Sequence, residues 1–467
     1  MNKFIIIVFL WIACFDYTVC QQDQEMLLMH DFVKSVVNQH PKSAQANLLI
    51  EMAQAKLLET KGKFDPILKS DLGEKSFSDK LYYHKYQTEL VIPTAIGLDL
   101  VTGYQKNYGN YLNPEATTDR SGLWNFTLEL DVLQGLIRNE RRIAMDQAKV
   151  HREMAFNEKD LALNDLIFEA CFTYLQWQMI FFYNNILKEN TDIAKIYYNI
   201  TKETYLGGEK TALDTLESFI AFKDAELLLQ KNTMELTKMQ YAMKNFLWYE
   251  GTPLEQKEEI ILPENVDSSE KLLSNILSND IAMLDNPILK VYENKLKILE
   301  LDMRLKREKL KPKLKLKYNS LLSTEEGVFS PTFASKDYVY GFSFSMPLFL
   351  RSERGALSTS KLKMEETNLT LMDKNNQIKN SIENYKVQLE YIKSQIALLT
   401  SNINSYKVLM DSERIKFELG ESSVFLLNKR QDKYIEARLK LITEWFKLQT
   451  IQLNYLYYTN TLSKLIN

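Results

Sequence analysis

From Ile378 to Met410 the apolar residues fall at alternating steps of four and three: Ile378, Ile382, Tyr385, Leu389, Ile392, Ile396, Leu399, Ile403, Tyr406 and Met410. A seam with a period of about 3.5 stays on one partner only if two helices supercoil with a left-handed twist. This stretch therefore predicts a long helix packed as a coiled coil. Other segments switch to period two. Trp124, Phe126, Leu128, Leu130 and Val132 alternate with Asn125, Thr127, Glu129 and Asp131. Leu314, Leu316 and Tyr318 alternate with Lys313, Lys315 and Lys317, and Phe342, Phe344 and Met346 with Gly341, Ser343 and Ser345. Each such strand has one greasy face and one wet face.

These patterns occur twice. His40-Pro41 is followed by Pro66, and Asn286-Pro287 is followed at the same spacing by Pro312. Each copy then reaches an Arg-x-Glu-Arg cluster, Arg138 to Arg141 and Arg351 to Arg354. A glycine before a glutamate follows, Gly208-Glu209 and Gly420-Glu421, at nearly the same distance from the first arginine in both copies. Ala225 and Ala437 stand equally far past their glycines. Landmarks in the same order at matched spacing indicate a duplicated unit forming one composite architecture. One copy reads as a helix of about thirty residues, a β-hairpin, a helix of nearly seventy, a tight turn and a returning helix of about forty. The stretch from Pro66 to Arg138 is much longer than its counterpart from Pro312 to Arg351. The excess holds a further strand-like run, Ala95 to Tyr104, and a loop with Tyr108 and Tyr111.

The boundaries predicted are a signal peptide over 1–20, a first repeat over 21–250, a linker over 251–268 and a second repeat over 269–467. Lys3 precedes an apolar run from Phe4 to Ala13, and Thr18-Val19-Cys20 offers a cleavage site. Ten apolar residues are too few to span a bilayer as a helix. Ala13-Cys14 is the alternative, a lipoprotein site, with Trp11 where leucine is usual. Cleavage after Cys20 leaves Cys171 as the only thiol, which excludes an intramolecular disulfide. Its apolar neighbours predict a buried structural residue.

The net charge of −3 gives no long-range attraction for nucleic acid. His30, His40, His84 and His151 show no metal-ligand spacing, and His40, aligned with Asn286, reads as a helix-start residue. Gly208 to Thr211 lacks the Gly-Lys dipeptide and the preceding strand of a phosphate loop, and no Gly-x-Ser-x-Gly elbow occurs. No cofactor and no catalytic residue are expected.

The paired prolines, the amphipathic hairpins, the arginine-flanked return into a long helix and the two turns, Tyr205 to Thr211 and Phe417 to Ser423, together resemble the TolC family of outer-membrane efflux and secretion channels. The resemblance implies a mainly α fold with membrane β-strands. Duplicated long coiled-coil helices would form an α-barrel across the periplasm, and a homotrimer would share one transmembrane β-barrel, four strands from each chain. Phe342, Phe344 and Met346 would face outer-membrane lipid. The turns would dock a periplasmic adaptor, through which an inner-membrane pump feeds the channel, by way of Gly207, Gly208, Glu209, Leu419, Gly420, Glu421 and Ser422. Family members gate the tunnel with acids beyond the tip, which makes Asp214, Glu217, Leu426 and Lys429 the candidates for a constriction. Leu426 and Lys429 depart from an acidic ring, and a solvated-face reading of Asp214 and Glu217 is of equal weight. The rival function is an exported coiled-coil adaptor or rod without a pore. The transported substrate is not encoded in any of these features.

Overall fold

The computed structural model describes residues 26–253, 262–277, 286–323 and 337–466. The signal segment, Cys14, Cys20 and the middle of the linker lie outside the described residues.

Among the described residues eight α-helices carry the chain: α1 (Met29–Gln39), α2 (Pro41–Lys61), α3 (Glu140–Leu206), α4 (Ala212–Lys244), α5 (Val266–Leu277), α6 (Pro287–Glu308), α7 (Arg351–Glu418) and α8 (Val424–Tyr458). Helices α3 and α7 have 67 and 68 residues, about 100 Å each at about 1.5 Å per residue. The helices that precede the hairpins are shorter than the sequence suggested, 21 and 22 residues. The first stops at Gly62 and the second at Glu308, each four residues ahead of a proline, Pro66 and Pro312. Both copies start in the same way. His40 Nδ1 accepts from the Lys42 N–H at 3.1 Å and Asn286 Oδ1 from the Ile288 N–H at 2.9 Å, each ahead of a proline in the first turn.

Helix α2 lies on α3, α3 on α6, and α6 on α7, while α4 returns along α3 and α8 along α7. The sequence seam of α7 faces α8: Ile392 and Ile396 are buried with Leu448, packed by Leu389, Leu441 and Trp445. Tyr406 is the seam residue left exposed. The largest core forms at the waist of α3, where Leu166, Ile167, Ala170, Cys171, Tyr174 and Leu175 meet α1, α5 and the end of α8. Cys171 is fully buried there, and burial pushes its thiol well above the usual range. Met26–Leu27 pairs in parallel with Leu262–Pro263, so part of the interval read as a linker is paired with the segment just before α1. Glu264 Oε1 accepts the Met29 N–H at 3.2 Å at the start of α1.

The sheet departs from the expected four strands. Among the described residues it has six, all antiparallel: β1 (Ile67–Phe77), β2 (Lys80–Pro93), β3 (Leu98–Tyr108), β4 (Leu123–Asp131), β5 (Lys313–Ser323) and β6 (Tyr338–Ser345), in that spatial order. The additional length of the first copy accounts for a complete hairpin, β2–β3, inserted between β1 and β4.

Candidate functional site

Cross-strand register sorts the sheet residues onto two faces. Leu128 opposes Leu100 and Tyr318, Leu316 opposes Leu130 and Phe342, and Leu314 opposes Phe344. The same face continues across the inserted hairpin through Ile92 and Leu90 to Leu68. Higher on it stand Tyr86, Tyr104 and Trp124, with ring centroids 6.4 and 5.2 Å apart, and Tyr318, Tyr338 and Tyr340 at 6.0 Å spacings. An aliphatic band edged by aromatic rings is what a lipid-facing strand surface requires. Phe342 and Phe344 belong to it, 74% and 60% exposed in the single chain. Met346 lies just past the last residue of β6, 42% exposed, beside a polar cavity.

The opposite face is wet. Glu129 opposes Asp99 and Lys317, Asp131 opposes Lys315, and Ser343 and Ser345 oppose Lys315 and Lys313. Glu129 lies 3.5 Å from Lys315 and 3.3 Å from Lys317. Where this face meets the helices there is a cavity of about 890 Å³ lined by Asp99, Asp131, Arg138, Glu140, Arg141, Lys311 and Lys313 among others. Arg141 of α3 grips Asp99 of β3 with two bonds, 2.7 and 3.1 Å, the bidentate geometry that fixes orientation as well as charge. The first arginine cluster thus joins the sheet to the helix α3. In the second, α7 already begins at Arg351, after Leu350 at φ +48°.

At the far end, the two helical turns have the same construction. Gly208 (φ +85°) and Gly420 (φ +79°) take the left-handed conformation that glycine adopts without a Cβ penalty. The N–H of Gly208 bonds Tyr205 O and that of Glu209 bonds Thr204 O. Gly420 bonds Phe417 O, and Glu421 bonds Lys416 O, in the same 5→2 and 6→1 pattern. Three residues past each glycine a hydroxyl caps the return helix: Thr211 accepts from the Asp214 N–H, and Ser423 from the Leu426 N–H. The turns are neighbours, since Lys210 Nζ stands 4.8 Å above the Phe417 ring. Phe417 is buried with Val424 and Leu427.

This places the sequence-named tip residues together. Gly207 is the last right-handed residue before Gly208, and Leu419 holds the equivalent place before Gly420, with a side chain 70% exposed. Asp214 is engaged locally: its carboxylate accepts the Thr211 N–H at 3.1 Å and the Thr211 hydroxyl at 2.7 Å, bonds that lower its pKa. Glu217 lies half-buried on the next turn, while Leu426 and Lys429 are exposed, with Lys429 above the Phe425 ring. Glu413 and Arg430, which frame the second tip, carried no sequence motif that would have singled them out.

Among the described residues, no helix is long and apolar enough to cross a membrane, and no group of three or more His, Cys, Asp or Glu side chains is arranged to hold a metal. No family profile and no curated relative matches the sequence. Solved structures do. The outer-membrane channel OprN superposes over 93% of this chain and 90% of its own with a TM-score of 0.66 at 13% identity. The CmeC outer-membrane channel of Campylobacter jejuni aligns over 93% of this chain and 85% of its own, TM-score 0.65, 14% identity. The outer-membrane protein VceC of Vibrio cholerae covers 92% and 96%, TM-score 0.65, 11% identity. The chain has the fold of the TolC-family outer-membrane channels.

Proposed function

We propose that three copies of this chain form a passive exit duct: a β-barrel in the outer membrane continued by a helical tunnel through the periplasm. A pump in the inner membrane would load it through an adaptor docked on the Gly208 and Gly420 turns. The chain itself would do no chemistry. Efflux and type I secretion both fit.

The observation that carries this reading is a match between two unfinished flanks. Edge strand β1 follows α2, and edge strand β6 leads into α7, so the sheet and the helix layer run in the same order from one flank to the other. Each flank also exposes a second heptad seam. On α4 it runs through Leu213, Leu216, Ile220, Leu227, Met234 and Tyr241, all exposed. On α7 it runs Val387, Tyr391, Ser394, Leu398, Ser401, Ser405, Val408, Ser412 and Ile415, again exposed, with small residues that admit a close partner. Strand β1 leaves the helices and β6 returns to them, so β6 of one copy meets β1 of the next antiparallel. Ring closure then satisfies both seams and both strand edges together, and open strand edges are not tolerated in lipid. An adaptor or rod without a pore gives the apolar sheet face no partner.

The test is reconstitution of the purified oligomer into a planar bilayer. Discrete, long-lived conductance steps are expected, and a membrane left electrically silent by inserted protein overturns the reading.

A further inference from the structure

The inserted hairpin β2–β3 has no counterpart in the second copy, which contributes only β5 and β6 among the described residues. Such an insertion has two available fates, a flap outside the sheet or an extension of its wall. Its residues decide for the wall. Strand β2 pairs with β1 from Lys80 to Val91 and β3 pairs with β4 from Leu98 to Gln105, so the hairpin is hydrogen-bonded on both sides. Leu90, Ile92, Leu98 and Leu100 prolong the aliphatic face, and Gln87, Glu89, Asp99 and Gln105 the wet one.

Its inner turn is locked to the start of α3. Asn139 Nδ2 donates to Ala95 O at 3.1 Å, and the Asp131 N–H donates to Gly97 O at 3.0 Å. A Cβ on Gly97, at φ +68°, would stand 2.7 Å from Gly135 O, so only glycine permits this approach. The Arg141–Asp99 pair adds a bidentate clamp.

We propose that this hairpin is a barrel-widening element, which gives the duct an outer mouth for bulky solutes. The proposal rests on the trimeric channel reading above. Three six-stranded sheets supply eighteen strands, where two strands from each repeat would supply twelve. Barrel diameter grows about linearly with strand number. With strands about 4.8 Å apart and tilted by about 40°, eighteen close a backbone cylinder about 36 Å across, against about 24 Å for twelve. The cargo class selected by such a mouth is defined by girth.

The experiment sizes the mouth with neutral polyethylene glycols of graded radius added to the outer side of bilayers holding the wild-type channel. A second channel lacks residues 80–108, so that the 109–122 loop joins β1 directly to β4. The largest polymer that still lowers conductance is expected to shrink in radius by roughly a third in the shortened channel, following the strand ratio. Equal cut-offs overturn the proposal. A thiol readout in membranes needs neither deletion nor conductance. Leu68→Cys with Leu90→Cys, and Thr102→Cys with Phe126→Cys, are opposed across strand pairs and should cross-link within one chain. Absence of both links places the hairpin outside the wall and overturns the proposal, even where conductance shows that the channel reading holds. Cysteine variants that link, together with a wild-type protein that never conducts, overturn the channel reading, and with it the mouth.

Discussion

The Ser422 hydroxyl donates to Glu413 Oε1 at 2.6 Å, tying the second tip back to the last turns of α7. Arg430 of α8 approaches the other oxygen of the same carboxylate at 3.6 Å. The Ser422 bond first, and Arg430 after it, hold the Glu413 pKa below its usual value. A carboxylate depressed in the folded state stabilises the fold above its unfolded pKa and loses that contribution as pH falls through the folded value. The protection factors of the Leu419 to Ser423 amides, taken against the intrinsic exchange rate at each pH, should therefore fall as the pH drops from 7 toward acid. Glu413→Gln should exchange faster at pH 7 and lose that pH dependence. A tip equally protected at both pH values would remove the role given to this carboxylate.

Replacing Gly420 separates turn geometry from docking. An added Cβ meets nothing within 4 Å, so the cost is conformational, roughly 1–2 kcal/mol for an L-residue held in the left-handed region. Gly420→Val is expected to destabilise the tip locally, leave oligomer assembly intact and impair export. Export at the wild-type rate in cells would detach the adaptor from this turn.

The two faces of β6 should respond in opposite ways. Phe342→Arg places a charge on the lipid side, at a cost of about 2–4 kcal/mol near the bilayer midplane. Ser343→Arg, one residue on, points into the wet face among Lys313, Lys315 and Lys317 and should still insert. Recovery of the oligomer from outer-membrane fractions distinguishes them, and equal recovery would reverse the assignment of faces.

Breaking the exposed seam of α7 should leave a folded chain that does not assemble. Leu398 is 65% exposed in the single chain while Ile396, two residues away, is buried against α8. Leu398→Asp is expected to abolish the oligomer in light scattering with helical circular dichroism retained, and Ile396→Asp to lose both. An intact oligomer with Leu398→Asp would take this seam out of the interface.

The helices were legible because local chemistry fixed them: a cap and proline at His40-Pro41 and Asn286-Pro287, glycine at the turns, and an α7 seam whose period names its own partner. The strands of the first copy were only partly legible. Leu98–Tyr108 overlaps the run read as Ala95 to Tyr104, but Ile67–Phe77 mixes Lys69, Ser70, Asp71, Gly73 and Glu74 on both faces and shows weak alternation. Its strand character comes from pairing with β2, a long-range contact no local pattern reports. Four strands per chain followed from the resemblance, and the chain's own insertion makes six. The Glu413–Ser422 tie was invisible for the same reason, as it depends on a turn folding back across nine residues.

Several identical sheets should close into one cylinder. Electron cryo-microscopy of the protein purified in lipid nanodiscs tests it directly. Three chains are expected around one axis, with a closed barrel of eighteen strands within the lipid and paired Gly208 and Gly420 turns at the opposite end of the helical tunnel. A water-soluble monomer, or particles whose sheets stay open outside the disc, would contradict it.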